Sequence, residues 1–110
     1  METIRIPTNK GLQFCNPDNI IRVQGLGNYC KIYFADSSHP LTIAKVLHWF
    51  EENLPPGIFW RTHKAHLINS RYVTQLPGSG RRYLVLHTGE TLAVSRRRMN
   101  FFTHKTFCAA

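Results

Sequence analysis

Apolar and polar residues alternate in short runs along most of this chain, and short alternation predicts β-strands. Gly11-Leu12-Gln13-Phe14 reads as a short strand ahead of the Asn16-Pro17-Asp18 turn. Ile20 to Leu26 reads as a second, in which Ile21 and Val23 alternate with Arg22 and Gln24. Gly25-Leu26-Gly27-Asn28 reverses the chain, and Tyr29 to Ala35 returns with Cys30, Ile32 and Phe34 on one face and Lys31 and Tyr33 on the other. One segment has a different period. Ile43, Val46, Leu47 and Phe50 recur at i, i+3, i+4 and i+7, which predicts a helix capped by Thr42 and running to about Asn53, where Pro55-Pro56-Gly57 stops it. Alternation resumes in Ala65 to Ile68, Tyr72 to Leu76, Arg82 to His87 and Thr91 to Val94, with a break at Pro77-Gly78-Ser79-Gly80 and a hairpin turn at Thr88-Gly89. Ser95 then reads as the N-cap of a short C-terminal helix with Met99 and Phe102 turned inward. The fold class is mainly β, with one amphipathic helix and a short C-terminal helix.

At 110 residues, the chain has room for one domain, residues 1–110, around one hydrophobic core. Apolar content of 43% separates it from disordered basic tails. No apolar run approaches the roughly 18 residues that span a bilayer, and the N-terminus lacks a secretory stretch. A cytoplasmic protein without a membrane partner is expected. Cys15, Cys30 and Cys108 are too few and too scattered for a disulfide framework, and Cys30 sits in a strand pattern that buries it as a free thiol.

Charge changes the picture more. From Arg61 to Ala110 nine Lys or Arg residues stand against one acid, Glu90, whereas residues 1–60 hold five of each sign. The formal +8 is therefore one-sided, and polarised positive charge on a small domain predicts a polyanionic partner. The predicted helix carries Lys45 as its only Lys or Arg, so its role is core packing rather than DNA recognition. The charge concentrates instead in Arg61-Thr62-His63-Lys64, just before a predicted strand, and Ser95-Arg96-Arg97-Arg98, just after one. Both would project from sheet ends as loops or helix starts. Loops of this kind enter DNA grooves, where Arg forks onto guanine O6 and N7 and Lys pairs with phosphate.

Catalytic chemistry finds little footing. Glu51 and Glu52 are neighbours at a helix end that face different directions, and no nucleophile elbow, Cys-His signature, dinucleotide fingerprint or phosphate loop occurs. His63 and His66, placed on one strand three residues apart, would point to opposite faces and not share a metal ion. No enzyme activity, cofactor, metal or small-molecule substrate is expected.

Three ordered blocks give the chain a family likeness. Trp60-Arg61-Thr62-His63-Lys64-Ala65-His66-Leu67-Ile68-Asn69 fits an aromatic-Arg-x-His-(Arg/Lys)-x-x-(Leu/Val)-(Ile/Val)-Asn motif, which Tyr72-Val73 continues. Ile21 to Tyr29 looks like a first strand with a Gly-Asn-Tyr turn, and Gly89 to Arg97 like a Gly-x-x-Leu-x-Val-Ser-Arg ending. Over about residues 5–102 the chain resembles the LytTR family of bacterial DNA-binding domains. Gln24-Gly25 and Trp60 depart from the usual residues, away from the contact loops.

The resemblance implies an elongated arrangement of small antiparallel sheets and a transcriptional regulator that inserts sheet-end loops into successive grooves of double-stranded DNA. Direct-repeat promoter sites are implied, with a second copy of the chain on the DNA as a further possibility. Carried over by position, Asn28 and Tyr29 form a first contact loop, Lys64 beside Arg61 and His63 a second, and Arg96 and Arg97 a third, to which the basic run adds Arg98 as a candidate. His63 is equally suited to holding its loop in shape, and Asn69 is expected to bond backbone locally rather than DNA. LytTR domains commonly follow a receiver domain, for which 110 residues leave no room, so a stand-alone regulator or an excised response-regulator output domain is expected. Two other classes fit the charge: a single-strand or RNA binder stacking bases on Tyr29, Tyr33 and Tyr83, and an interaction module for an acidic protein.

Overall fold

The period-two segments do form strands, and pair into three antiparallel sheets in the computed structural model, which describes residues 3–78 and 80–102. The central sheet has five strands in the order β5 (Leu41–Ile43), β4 (Cys30–Phe34), β3 (Ile20–Gly25), β7 (His66–Asn69) and β6 (Phe59–His63). β1 (Ile4–Thr8) and β2 (Gly11–Cys15) make a separate hairpin, and β10 (Thr91–Ala93), β9 (Tyr83–Leu86) and β8 (Val73–Gln75) make a three-stranded sheet. The molecule is elongated, 44 × 29 × 24 Å. Lys105, Cys108 and Ser79 lie outside the described residues.

Two apolar clusters replace the single core expected from chain length. The reason is visible in β7, where consecutive Leu67 and Ile68 point to opposite faces and are both essentially inaccessible. Leu67 joins Val23, Cys30, Ile32 and Ile43 under the helix α1 (Leu47–Asn53), which contributes Leu47 and Phe50. Ile68 joins Leu84, Leu86, Leu92, Val94 and Phe102 beneath the three-stranded sheet. The central sheet is thus covered on both sides. Burial pushes the Cys30 thiol up to about 11, against a smaller pull from Arg61, so this buried free cysteine is an unreactive apolar group.

Several expected boundaries are corrected by pairing between distant segments. The helix does not begin at Thr42: Leu41–Ile43 adds to the sheet edge, with Thr42 opposite Lys31 and Ile43 opposite Cys30. Two β-branched residues satisfy their backbone there better than in an isolated first turn. The helix starts at Leu47 behind Val46, which supplies no side-chain cap. Of Arg61 to Lys64, expected as a loop or helix start, Arg61 to His63 belong to β6. β1 was not foreseen, and its Pro7 is tolerated because the hairpin stands apart from the central sheet.

The expected alternation in β3 fails at a bulge between Ile20 and Arg22. Ile20 and Val23 both reach the first core, while Arg22 turns into the second side and is 6% exposed. There its guanidinium forks onto Glu90, at 2.8 Å and 3.3 Å, beneath the Tyr33 ring at 3.9 Å. This pair joins the central sheet to the β9–β10 turn. Fully buried Asn69 accepts from the Arg71 N–H, the local backbone bond expected of it, and also donates to the distant carbonyls of Ile20 and Pro17. Ser95 makes no side-chain cap, and Arg96–Arg98 is a 3-10 turn running into helical residues, with Phe102 buried and Met99 against the core as expected.

Candidate functional site

Register places the β3–β4 and β6–β7 turns at the same end of the central sheet, since Gly25 faces Cys30, Gln24 faces His66 and His63 faces His66. The Gly25 N–H donates to the Ala65 carbonyl at 2.8 Å, joining the first turn to the second. The Ser95 N–H donates to the Thr62 carbonyl at 2.9 Å, joining the Arg96–Arg98 segment to the end of β6. Three segments far apart in sequence are therefore tied into one surface by main-chain bonds. None of those bonds is readable from residue type.

The first turn closes with a Leu26 N–H to Tyr29 carbonyl bond at 2.8 Å, and Gly27 sits at φ +78°, where a side chain would strain the backbone. Gly25 allows a close approach instead: a Cβ there would stand 3.2 Å from the Leu47 side chain of α1, which would have to shift by a few tenths of an ångström. Asn28 and Tyr29 stand exposed at the tip.

The second turn is built by its own side chains. His63 Nδ1 accepts from the Ala65 N–H at 3.1 Å, which holds the loop in shape. Arg61 donates through Nε to the His63 carbonyl at 2.9 Å and through Nη2 to the Lys64 carbonyl at 2.7 Å. Its Nη1 meets Glu51 Oε1 of α1 at 2.8 Å, and only 17% of its side chain is exposed. Lys64 alone projects freely into solvent. A bulge between Arg61 and His63 accounts for this, leaving Arg61 facing α1 while Thr62 turns to Ser95. Glu51 is a part of the site outside every motif, and Gly25 and Thr62 lie within the motifs without being among the candidate contact residues. Glu51 left only the trace of an acid near a helix end.

His63 and His66 are not on one strand, as the sequence suggested, but face each other across the β6–β7 hairpin with ring centroids 5.1 Å apart. Among the described residues no group of three or more His, Cys, Asp or Glu is placed to hold a metal ion. Burial, helped by His63 and Arg22 and opposed by Glu90, holds the His66 imidazole below the ordinary histidine value. An unfolded chain takes up this proton near pH 6.5 and the folded chain does not, so stability should fall as pH drops through that point. Denaturant midpoints at pH 7.5 and 5.5 check this, and His66→Gln should narrow the gap between them.

Charge on the assembled surface is one-sided because the described acids are already engaged. Asp18 pairs with Arg71, Glu51 with Arg61 and Glu90 with Arg22, Glu52 lies 3.5 Å from the His48 ring, an ion pair only when that ring is protonated, and Asp36 accepts from Asn19. Among the described residues, the exposed Lys64, Arg96, Arg97 and Arg98 have no carboxylate partner. Of the three candidate stacking rings, Tyr33 is covered by Arg22 and bonded to Gln24. Among the described residues no helix is long and apolar enough to cross a membrane.

The family profile described as LytTr DNA-binding domain matches residues 10–106. Among solved structures, the LytTr DNA-binding domain of a protein described as a methyl-accepting/DNA response regulator from Bacillus cereus superposes with a TM-score of 0.74. It is 17% identical, and the match covers 93% of this chain and 94% of that one. No curated protein matches the chain.

Proposed function

The chain belongs to the LytTr DNA-binding domain family, whose business is DNA binding in transcription regulation, and on that premise we propose that it grips double-stranded DNA with the three tied segments. Asn28 and Tyr29, Lys64, and Arg96 to Arg98 enter successive grooves of a promoter site, in the cytoplasm, without a catalytic step. Direct repeats in the site and a second copy of the chain on the DNA belong to the same reading.

One observation supports it above the rest: two main-chain bonds hold three solvent-facing segments together, while Lys64 and Arg96 to Arg98 have no carboxylate partner among the described residues. An exposed run of like charges repels itself and contributes nothing to folding, so a polyanion completes it. Lys64 is the phosphate contact, Asn28 has the edge chemistry for bases, and Arg96 and Arg97 can serve either. Arg61 and His63 shape the second loop.

Duplex and single-stranded DNA in direct competition test this. The duplex should win, and preference for the single strand would sink the proposal. Lys64→Ala should lower the log–log salt slope by about 0.9, the share of one phosphate, while leaving sequence preference intact.

A further inference from the structure

We infer that Glu51, on α1 and outside the three DNA-facing segments, is a positioning residue for duplex binding, acting through Arg61 on the loop that carries Lys64. The inference rests on the function proposed above. The β6–β7 turn closes through side chains: the carbonyls of His63 and Lys64 converge on the Arg61 guanidinium, and the Ala65 N–H on the His63 ring. A planar guanidinium satisfies two such carbonyls only while it stays in one plane and one place. Its third engaged nitrogen meets the Glu51 carboxylate at 2.8 Å, and α1 is fixed beneath by Leu47 and Phe50 in the first core.

A nearby polyanion would otherwise compete for that cation. Phosphate and carboxylate take the same fork, so an Arg61 without Glu51 could swing to DNA and release both carbonyls. The loop would then lose the frame that presents Lys64. His48 Nδ1, 3.5 Å from the same carboxylate, is the other basic group on Glu51, and it is largely exposed.

The sign of one substitution decides the matter. Glu51→Gln raises the formal net charge from +8 to +9, and bulk electrostatics alone would tighten binding to a polyanion. Loss of the clamp predicts the opposite. Binding of the full chain to a selected duplex should weaken roughly three- to tenfold at fixed salt. Arg61→Lys, which keeps the charge but cannot fork, should weaken binding similarly. In the free protein, amide exchange at Ala65 should quicken in both variants while the global unfolding midpoint stays within a few degrees. Equal or tighter binding by Glu51→Gln, or unchanged Ala65 exchange, overturns the inference alone. Failure of the unsubstituted chain to bind any duplex overturns the proposed function and this inference together.

Discussion

Arg96→Ala is expected to weaken binding to a specific duplex by about 1–3 kcal/mol, roughly 5- to 150-fold, without destabilising the fold. The two halves of that statement have separate causes. Arg96 is exposed at the start of the 3-10 turn, and no carboxylate among the described residues answers it. Its removal breaks no ion pair among the described residues and relieves repulsion from Arg97 and Arg98. On DNA, a guanidinium forked onto guanine loses both bonds at once, and the preference at that base pair relaxes. A binding profile across single-base variants of the site distinguishes the roles. Relaxation at one position makes Arg96 a base reader, whereas equal loss at every position makes it a phosphate contact.

Phe102→Ala should cost about 3–5 kcal/mol of stability, the usual loss for a buried aromatic truncated to a methyl. The ring is 2% exposed, meets Trp60 edge-on with centroids 5.5 Å apart, and packs in the second core with Ile68 and Leu84. That loss is a large share of a typical folding free energy. It has a functional consequence as well, because Phe102 follows the Arg96–Arg98 turn closely and backs it onto the sheet that carries Thr62. Denaturant unfolding measures the first effect, and duplex affinity below the unfolding transition the second. Phe101→Ala serves as the control, since that ring is 40% exposed and its loss should cost much less.

Legibility in the sequence followed the range of the interaction concerned. The β3–β4 and β9–β10 hairpins are local, with glycine turns, and their strands are readable from alternation, the bulge in β3 excepted. The inward Met99 and Phe102 and the core role of α1 were also local patterns. Thr42 and Ile43 misled because their spacing suits a helix, while a strand partner at Cys30 and Lys31 gives them a better place. Arg22 looked like an outward residue because its acid, Glu90, is 68 positions away. Arg61 and Lys64 looked alike as cations in one motif, yet one is enclosed by carbonyls and a carboxylate and the other is free. Motif spacing identified the loops and left their division of labour to geometry. The near-neutral Gly25–Tyr29 turn carries no charge signal, and only its bond to Ala65 and its place in the family pattern join it to the site.

The central claim is that three tied segments read a duplex together. Selection of binding sites from random double-stranded DNA by the whole chain, repeated with Asn28→Ala and with Arg96→Ala, tests it most directly. The account predicts a recurrent motif for the unsubstituted chain and loss of preference at separate positions for the two variants. Recovery of no motif, with retention of all sequences in proportion to length, would contradict it.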